Sequence, residues 1–503
     1  MSQQDKVMYV IAHTHWDREW YGTFQQYRIR LVRLTNKFLK IVQDDPDFVF
    51  NFDGQTVVLE DFLEAEPAKR EQIKELVEAK RIMIGPWYVL PDEFLVDGES
   101  YMRNLLLGDK IANDFGHRNR IGYIPDTFGH IAQLPQILRE FDLDTTMHFR
   151  GMNPRDQSEL WWEAPDGSRV LLHHMPNWAG YTDAVPWPEE WPEALIDIES
   201  LVEIKSARAA TDVLVAMSGV DHLEPRADLP GLLHFAEDRL EGVAFKLASL
   251  EDYAEALNTA VTAAGAELET VKGELRDVPR QPHAGNILLY NVLSSRIDNK
   301  LWNFKASRAL ERWGEPFSAL AWVEGFDPDG YPEGLLWTAW RWLLKNHPHD
   351  SIGGCSADEI HRQMNTRFEW AYEIGEYLAE EKFRLLAREL DFSGLNEDEY
   401  PLLVFNPSPW DREEVVTLDV DIPGAWLQRR AVESVRPMPE IKRGIDYPTL
   451  HHMRARQYWR GNPPQMPEVF FRGMRVRPAG GEEVPVEVHS IEERDLSVSL
   501  ADG

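Results

Sequence analysis

VMYVIAHTHWD, residues 7 to 17, runs from six apolar positions straight into two histidines and an aspartate. A short apolar run of this kind predicts a buried strand. In a parallel α/β arrangement its polar end then lies at the carboxyl edge of the sheet, where such folds bind their ligands. Side chains alternate along an extended chain, so His13, His15 and Asp17 can point to one side. Imidazole and carboxylate donors suit Zn²⁺, and a set without cysteine is more often catalytic than structural. On this segment alone, a strand end with polar residues facing water fits as well as a metal site.

The pattern repeats. Strand-like runs at 7–12, 48–52, 82–85, 121–124, 145–149, 170–175 and 213–217 alternate with amphipathic helical stretches such as RLVRLTNKFLKIVQDD and REQIKELVEAKR. Parallel strands need such crossovers, so the fold class is α/β, with a seven-stranded parallel, barrel-like β/α catalytic domain over residues 1–275. Polar residues follow the strands in order: Asp53, Trp87, Asp126, Arg150 and Asp221. One such residue is ordinary loop chemistry; a succession of them predicts a shared cleft.

Three long amphipathic segments over 276–392 predict a three-helix bundle. The second ends in KNHPHDSIGGCS, where Pro348 cannot continue a helix and leaves His347, His349 and Asp350 on a tight turn. Such a turn reads either as a polar helix end or as a second source of ligands. Over 393–503 the pattern returns to strands, as at the start of a β-sandwich domain, and the chain stops without a closing element, which predicts truncation.

At 503 residues the chain exceeds the ~250–300 at which single cores stop growing. A formal charge of −32 disfavours nucleic acid and anionic membrane surfaces as partners. The lone cysteine, Cys355, suits a reducing cytoplasm, and no signal-like or membrane-spanning run is evident. Most of the 18 tryptophans read as core. Trp20 and Trp87, beside charged residues after strand-like runs, are the candidates to face a ligand.

Together HTHWDREW, GPWYVLPDE, IPDTFGHIAQLPQIL and NHPHDS resemble the family 38 glycoside hydrolases, zinc-dependent retaining α-mannosidases, in order and spacing. The resemblance is strong from residue 1 to about 390 and weak beyond, through VFNPSPW. It implies one Zn²⁺ per chain, held by His15, Asp17, Asp126 and His349, and so selects His15 over His13. It also implies Asp126 as nucleophile and Asp221, on a less distinctive turn, as general acid/base. Trp20, Phe128, Arg150 and Asp350 match substrate-binding positions. His13 is left in a supporting role, and His130 and Asp53 either orient ligands or make plain structural hydrogen bonds.

The implied reaction removes terminal α-mannose from small mannosides or manno-oligosaccharides through a mannosyl-aspartate intermediate. Retention requires two carboxyl groups about 5–5.5 Å apart, one attacking and one protonating the departing oxygen. Mannosylglycerate hydrolysis is the alternative substrate reading, since GPWY, SxxRN and DGQT resemble bacterial members with that activity. A zinc-dependent carbohydrate deacetylase, whose metal activates water, is a more remote alternative. The partner expected is a small carbohydrate, with a homo-oligomer left open.

Overall fold

A computed structural model of the chain describes residues 6–277, 288–396 and 401–412, together with five short strands further on. The chain opens with β1 (Lys6–Ala12), α1 (Phe24–Asp44), β2 (Phe50–Asn51), α2 (Val57–Ala65), α3 (Arg70–Glu78), β3 (Ile82–Met83) and α4 (Gly98–Asp114). Next come β4 (Gly122–Tyr123), α5 (Leu134–Glu140), β5 (Thr145–His148), β6 (Glu159–Glu163), β7 (Arg169–His174) and α6 (Trp191–Ser206). β8 (Val213–Ser218), α7 (Leu229–Glu237), β9 (Val243–Leu247), α8 (Leu250–Ala264) and β10 (Thr270–Lys272) complete the β/α part.

Local chemistry explains these elements. α1 buries Tyr27, Leu31, Leu34, Phe38, Leu39 and Val42, a stripe with spacings of three and four. α8 begins at a Ser249–Asp252 capping box and ends at left-handed Gly265. β1 is buried from Met8 onward and pairs in parallel with β8 on one side and β9 on the other.

A strand occurs within or overlapping each of the seven predicted runs. They do not form one continuous ladder. The pairings fall into β8-β1-β9, β2-β3 and β10-β6-β7-β5-β4, with a single bridge, His13 to Asn51, linking β1 to β2. β6 runs antiparallel to β7, a departure from the all-parallel expectation. Its cause is the tight Ala164–Ser168 turn, closed by an Ala164 N–H to Ser168 carbonyl bond of 2.9 Å. A turn that short cannot make a parallel crossover.

The helical part begins with one rod: α9 (Ile297–Arg308), a π-helical turn (Ala309–Gly314) and α10 (Glu315–Val323). α11 (Glu333–Leu344), the short α12 (His349–Gly353) and the long α13 (Asp358–Arg388) follow. They share a core that includes Leu310, Trp340, Leu343, Met364 and Phe368. Residues Met1–Leu403 form one compact unit and Val404–Gly503 another. In the second, β11 (Val416–Asp421), β12 (Gln428–Arg429), β13 (Val469–Phe470), β14 (Val486–Glu492) and β15 (Asp495–Leu500) make an antiparallel sheet, β11-β15-β14, and a β12-β13 pair. The rest of the expected β-sandwich lies outside the described residues. Among the described residues no helix is long and apolar enough to cross a membrane.

Candidate active site

β1 ends at Ala12, so His13, His15 and Asp17 emerge at its carboxyl edge, as Asp53 does after β2, Asp126 after β4, Arg150 after β5 and Asp221 after β8. His15 and Asp221 are bridged through their backbones, and the His222 amide donates to the His15 carbonyl at 2.9 Å. His349 arrives from the helical part. Pro348, extended at φ −46° and ψ 139°, ends the run from α11 and directs His349 into the cleft, where its amide donates to the Leu90 carbonyl at 3.0 Å.

The result is a buried knot of donors. One ligand atom each from His15, Asp17 and His349 lies within 4.8 Å of the others, the one such group of three among the described residues. His15 Nε2 is 3.1 Å from Asp17 Oδ1, and His349 Nε2 is 3.7 Å from the same oxygen. Asp126 borders this group without joining it: its Oδ2 is 3.3 Å from His349 Nε2, while its Oδ1 accepts from Arg150 Nε at 2.8 Å.

Charge in the knot is arranged for a cation. Burial alone would keep both imidazoles neutral, yet the Asp53 and Asp17 carboxylates raise His15 well above its ordinary value. Asp350, Asp126 and Asp17 likewise overcome burial at His349 and raise it to about 9. For Asp126, burial opposes ionisation but Arg150 and His349 prevail and lower its pKa. Asp350 is pushed up to about 7 by burial, against the pull of His349. His349 Nε2 is buried with no hydrogen-bond partner of adequate geometry. A soft-to-borderline cation fits here: two imidazole nitrogens and the Asp17 carboxylate face one another, with Asp126 at the border, and metal binding would displace the protons that the carboxylates now hold on the imidazoles.

Behind the donors, Asp53 fixes His15: its Oδ2 is 2.6 Å from His15 Nδ1 and accepts from the Trp16 amide at 3.0 Å. That leaves Nε2 facing Asp17, the arrangement in which a carboxylate sets an imidazole's tautomer. His13 turns away, its Nε2 2.9 Å from the Tyr181 carbonyl. Phe128 meets the His349 ring edge to face at 5.5 Å, and Arg150 lies over Phe128 and Phe149 at 5.6 and 5.0 Å. Trp20 stacks on Tyr21 at 4.0 Å. His130 lies apart from the knot; its Nδ1 is 2.7 Å from Glu93 Oε1 and its ring stacks on His148 at 3.9 Å.

With this geometry, comparison with known proteins is specific. A profile described as the family 38 glycosyl hydrolase N-terminal domain matches residues 5–275, more than half of the chain. The chain belongs to glycosyl hydrolase family 38. A second profile, the α-mannosidase middle domain, matches residues 288–386. A Halalkalibacterium halodurans protein named "Putative mannosylglycerate hydrolase" is 35% identical over 431 residues, 82% of this chain and 46% of the relative. α-Mannosidase G of Dictyostelium discoideum is 29% identical over 181 residues, 35% of this chain and 17% of that one. A crystal structure of an α-mannosidase from Enterococcus faecalis V583 superposes with a TM-score of 0.79 at 31% identity, covering 98% of this chain and 54% of that one. The chain thus spans about half the length of the relatives it matches over most of its own length.

Within this family 38 chain, the structure adds site residues that carry no sequence signature. The Tyr181 hydroxyl donates to Asp221 Oδ1 at 2.9 Å, and its ring lies 5.3 Å from His15. His222 Nε2 accepts from the Asp17 amide at 3.2 Å. Glu19, two residues after Asp17, is grasped by both terminal nitrogens of Arg367 on α13 and accepts from Ser351 Oγ at 3.2 Å. Arg367 Nε also donates to Asn346 Oδ1 at 2.6 Å. This buried strut joins the loop carrying Asp17 to the turn carrying His349.

Proposed function

We propose that the chain is a retaining α-mannoside hydrolase acting on terminal α-linked mannose in small mannosides or manno-oligosaccharides. The observation that carries this reading is that Asp17 and Asp126, from two strand ends, each lie within 4 Å of His349 Nε2, which comes from the helical part. His15, Asp17, Asp126 and His349 would hold one zinc ion, which supplies Lewis acidity and a template for the cis 2- and 3-hydroxyls of mannose.

Asp126 is the nucleophile. Arg150 and His349 keep it ionised against the cost of burial, as an attacking carboxylate requires. Attack at the anomeric carbon gives a mannosyl-aspartate ester while Asp221 protonates the departing oxygen; Asp221 then takes the proton from the water that hydrolyses the ester. Tyr181 donates to Oδ1 of Asp221, which holds the carboxyl group in place and leaves Oδ2 for the proton in transit. Phe128, Arg150, Asp350 and Trp20 line the sugar site in this reading. The single cysteine is consistent with a cytoplasmic location.

A second substrate reading, mannosylglycerate hydrolysis, is favoured by the 35% identity to the Halalkalibacterium halodurans protein of that name. Proton NMR of α-mannosides, after chelation and again with added zinc, tests the proposal. The expected record is zinc-restored hydrolysis with the α-anomer of mannose appearing first. Full activity without metal, or first release of the β-anomer, would overturn it.

A further inference from the structure

Asp17 divides its two carboxylate oxygens between different neighbours. Oδ1 faces the imidazoles of His15 and His349, at 3.1 and 3.7 Å, whereas Oδ2 faces a third imidazole, with His222 Nε2 at 3.3 Å. The same His222 nitrogen accepts from the Asp17 amide at 3.2 Å. One ring nitrogen thus meets Asp17 at both backbone and side chain, and leaves Oδ1 to the group of donors.

His222 directly follows Asp221, the acid/base of the reading above. The segments carrying Asp17 and Asp221 run side by side: His15 is bridged to Asp221, the His222 amide donates to the His15 carbonyl at 2.9 Å, and the Thr14 hydroxyl to the Val220 carbonyl at 3.4 Å. Gly219 permits this approach, since a Cβ there would lie 2.1 Å from the His13 carbonyl oxygen. At His222 the backbone turns left-handed, with φ +57°, a conformation uncommon for a residue with a side chain. Strain of this kind persists where the surroundings enforce it, and it clusters at functional sites. Here Trp16 and Tyr27 meet the imidazole edge to face at 4.9 and 4.8 Å, and 5% of the side chain is exposed. A ring clamped from two sides is a fixed reference for the carboxylate beside it.

We propose that His222 is a positioning residue that couples the metal site to the acid/base. Its ring fixes Asp17 while its backbone continues from Asp221, so the metal-binding carboxylate and the proton donor keep one spacing. This rests on the α-mannoside reading above and adds a residue to its machinery. A proton donor displaced by an ångström costs rate chiefly where the departing oxygen needs its proton.

The test pairs zinc affinity, by chelator competition, with kcat/KM at saturating zinc on methyl and dinitrophenyl α-mannosides. His222→Phe keeps the aromatic packing and removes the nitrogen; His222→Asn tolerates the left-handed backbone and falls short of Asp17. Both should weaken zinc binding about 10- to 100-fold. Both should also lower kcat/KM on the methyl mannoside about 10- to 100-fold, and on the dinitrophenyl mannoside, whose leaving group needs no proton, by less than about threefold. His222→Gln, whose amide can extend toward the place of Nε2, should recover part of both losses. Equal losses on the two mannosides, or zinc affinity within about twofold of the unaltered chain for both His222→Phe and His222→Asn, would overturn the coupling while leaving the hydrolase reading intact. Turnover of neither mannoside by the unaltered chain would instead overturn the hydrolase reading, and the zinc measurement would still decide the Asp17 half of the proposal.

Discussion

Two buried clusters of histidine and carboxylate in this chain shift their imidazoles in opposite directions. At the ends of β1 and β4, His15 and His349 sit among Asp17, Asp53, Asp126 and Asp350, and both are pushed toward protonation despite complete burial. Around the ends of β5 and β7, His148 lies against His130 and near His173 and His174; burial and the neighbouring imidazoles hold it well below its ordinary value. His174 is lowered to about 3 by burial and then by Arg208. Residue type does not distinguish the clusters. The ratio of carboxylates to imidazoles does, and it makes one a seat for a cation and the other a neutral packing core.

The sharpest way to break this contrast is substitution on each side. Asp126→Ala should lower kcat on an aryl α-mannoside by on the order of 10⁴-fold or more, as loss of a nucleophile does. His148→Phe should leave kcat nearly unchanged and act only on stability. If the two variants lost similar turnover, the division would be wrong.

The strut tests whether the first cluster depends on being held from both sides. Arg367→Met should weaken zinc affinity about 10- to 100-fold in a chelator competition, the usual effect of residues that orient ligands. It should also cost about 3 kcal/mol of stability, because buried Glu19 would lose its two-pronged partner and keep only Ser351 Oγ at 3.2 Å and Arg18 Nη1 at 4.0 Å. Stability lost with zinc affinity retained would reduce the strut to a packing contact. A smaller effect is expected at Asp221: Tyr181→Phe removes one charge-assisted hydrogen bond and should cost about tenfold in kcat, with zinc affinity unchanged.

The gentlest probe is pH, and the clusters should respond with opposite sign. His349 rises from 6.5 to about 9 in the folded, metal-free chain, so its stabilisation is full below pH 6.5 and is lost as pH rises through 9. His174 falls from 6.5 to about 3, so its contribution is full above pH 6.5 and is lost as pH falls toward 3. Each proton changes stability by about 1.4 kcal/mol per pH unit at most. Melting temperatures of His349→Gln and His174→Phe against the unaltered chain, with chelator present, should converge with it at opposite ends of the pH range. Convergence at the same end would remove the electrostatic distinction.

Those seven runs were legible because alternation with amphipathic helices is a local pattern. ELWWE, the antiparallel β6, was not, since its partner is dictated by the turn after it rather than by its own residues. VAFKL and TVK, β9 and β10, are short runs whose status depends on the edges they join. The three long helices could be read from their apolar spacing, whereas the π-helical turn at Ala309–Gly314 leaves no such trace. HTHWD and HPHD announced themselves by density of ligand atoms. Tyr181 did not, because it sits in a turn without a motif and acts through one hydroxyl. Glu19 and Arg367 are 348 positions apart, and neither is informative alone. His130 was expected either to orient a ligand or to make a structural hydrogen bond; its partner is Glu93.

His349 reaches the knot from α12, whereas His15 and Asp17 come from the end of β1. In the zinc-bound form proposed above, one ion would therefore fasten the β/α part to the helices, and binding energy specific to the folded state adds to the stability of both at once. Calorimetry should then show a single sharp transition with zinc, and an earlier, broader one without it. Scarcity of the metal would reach this chain first as a loss of cooperativity between its parts.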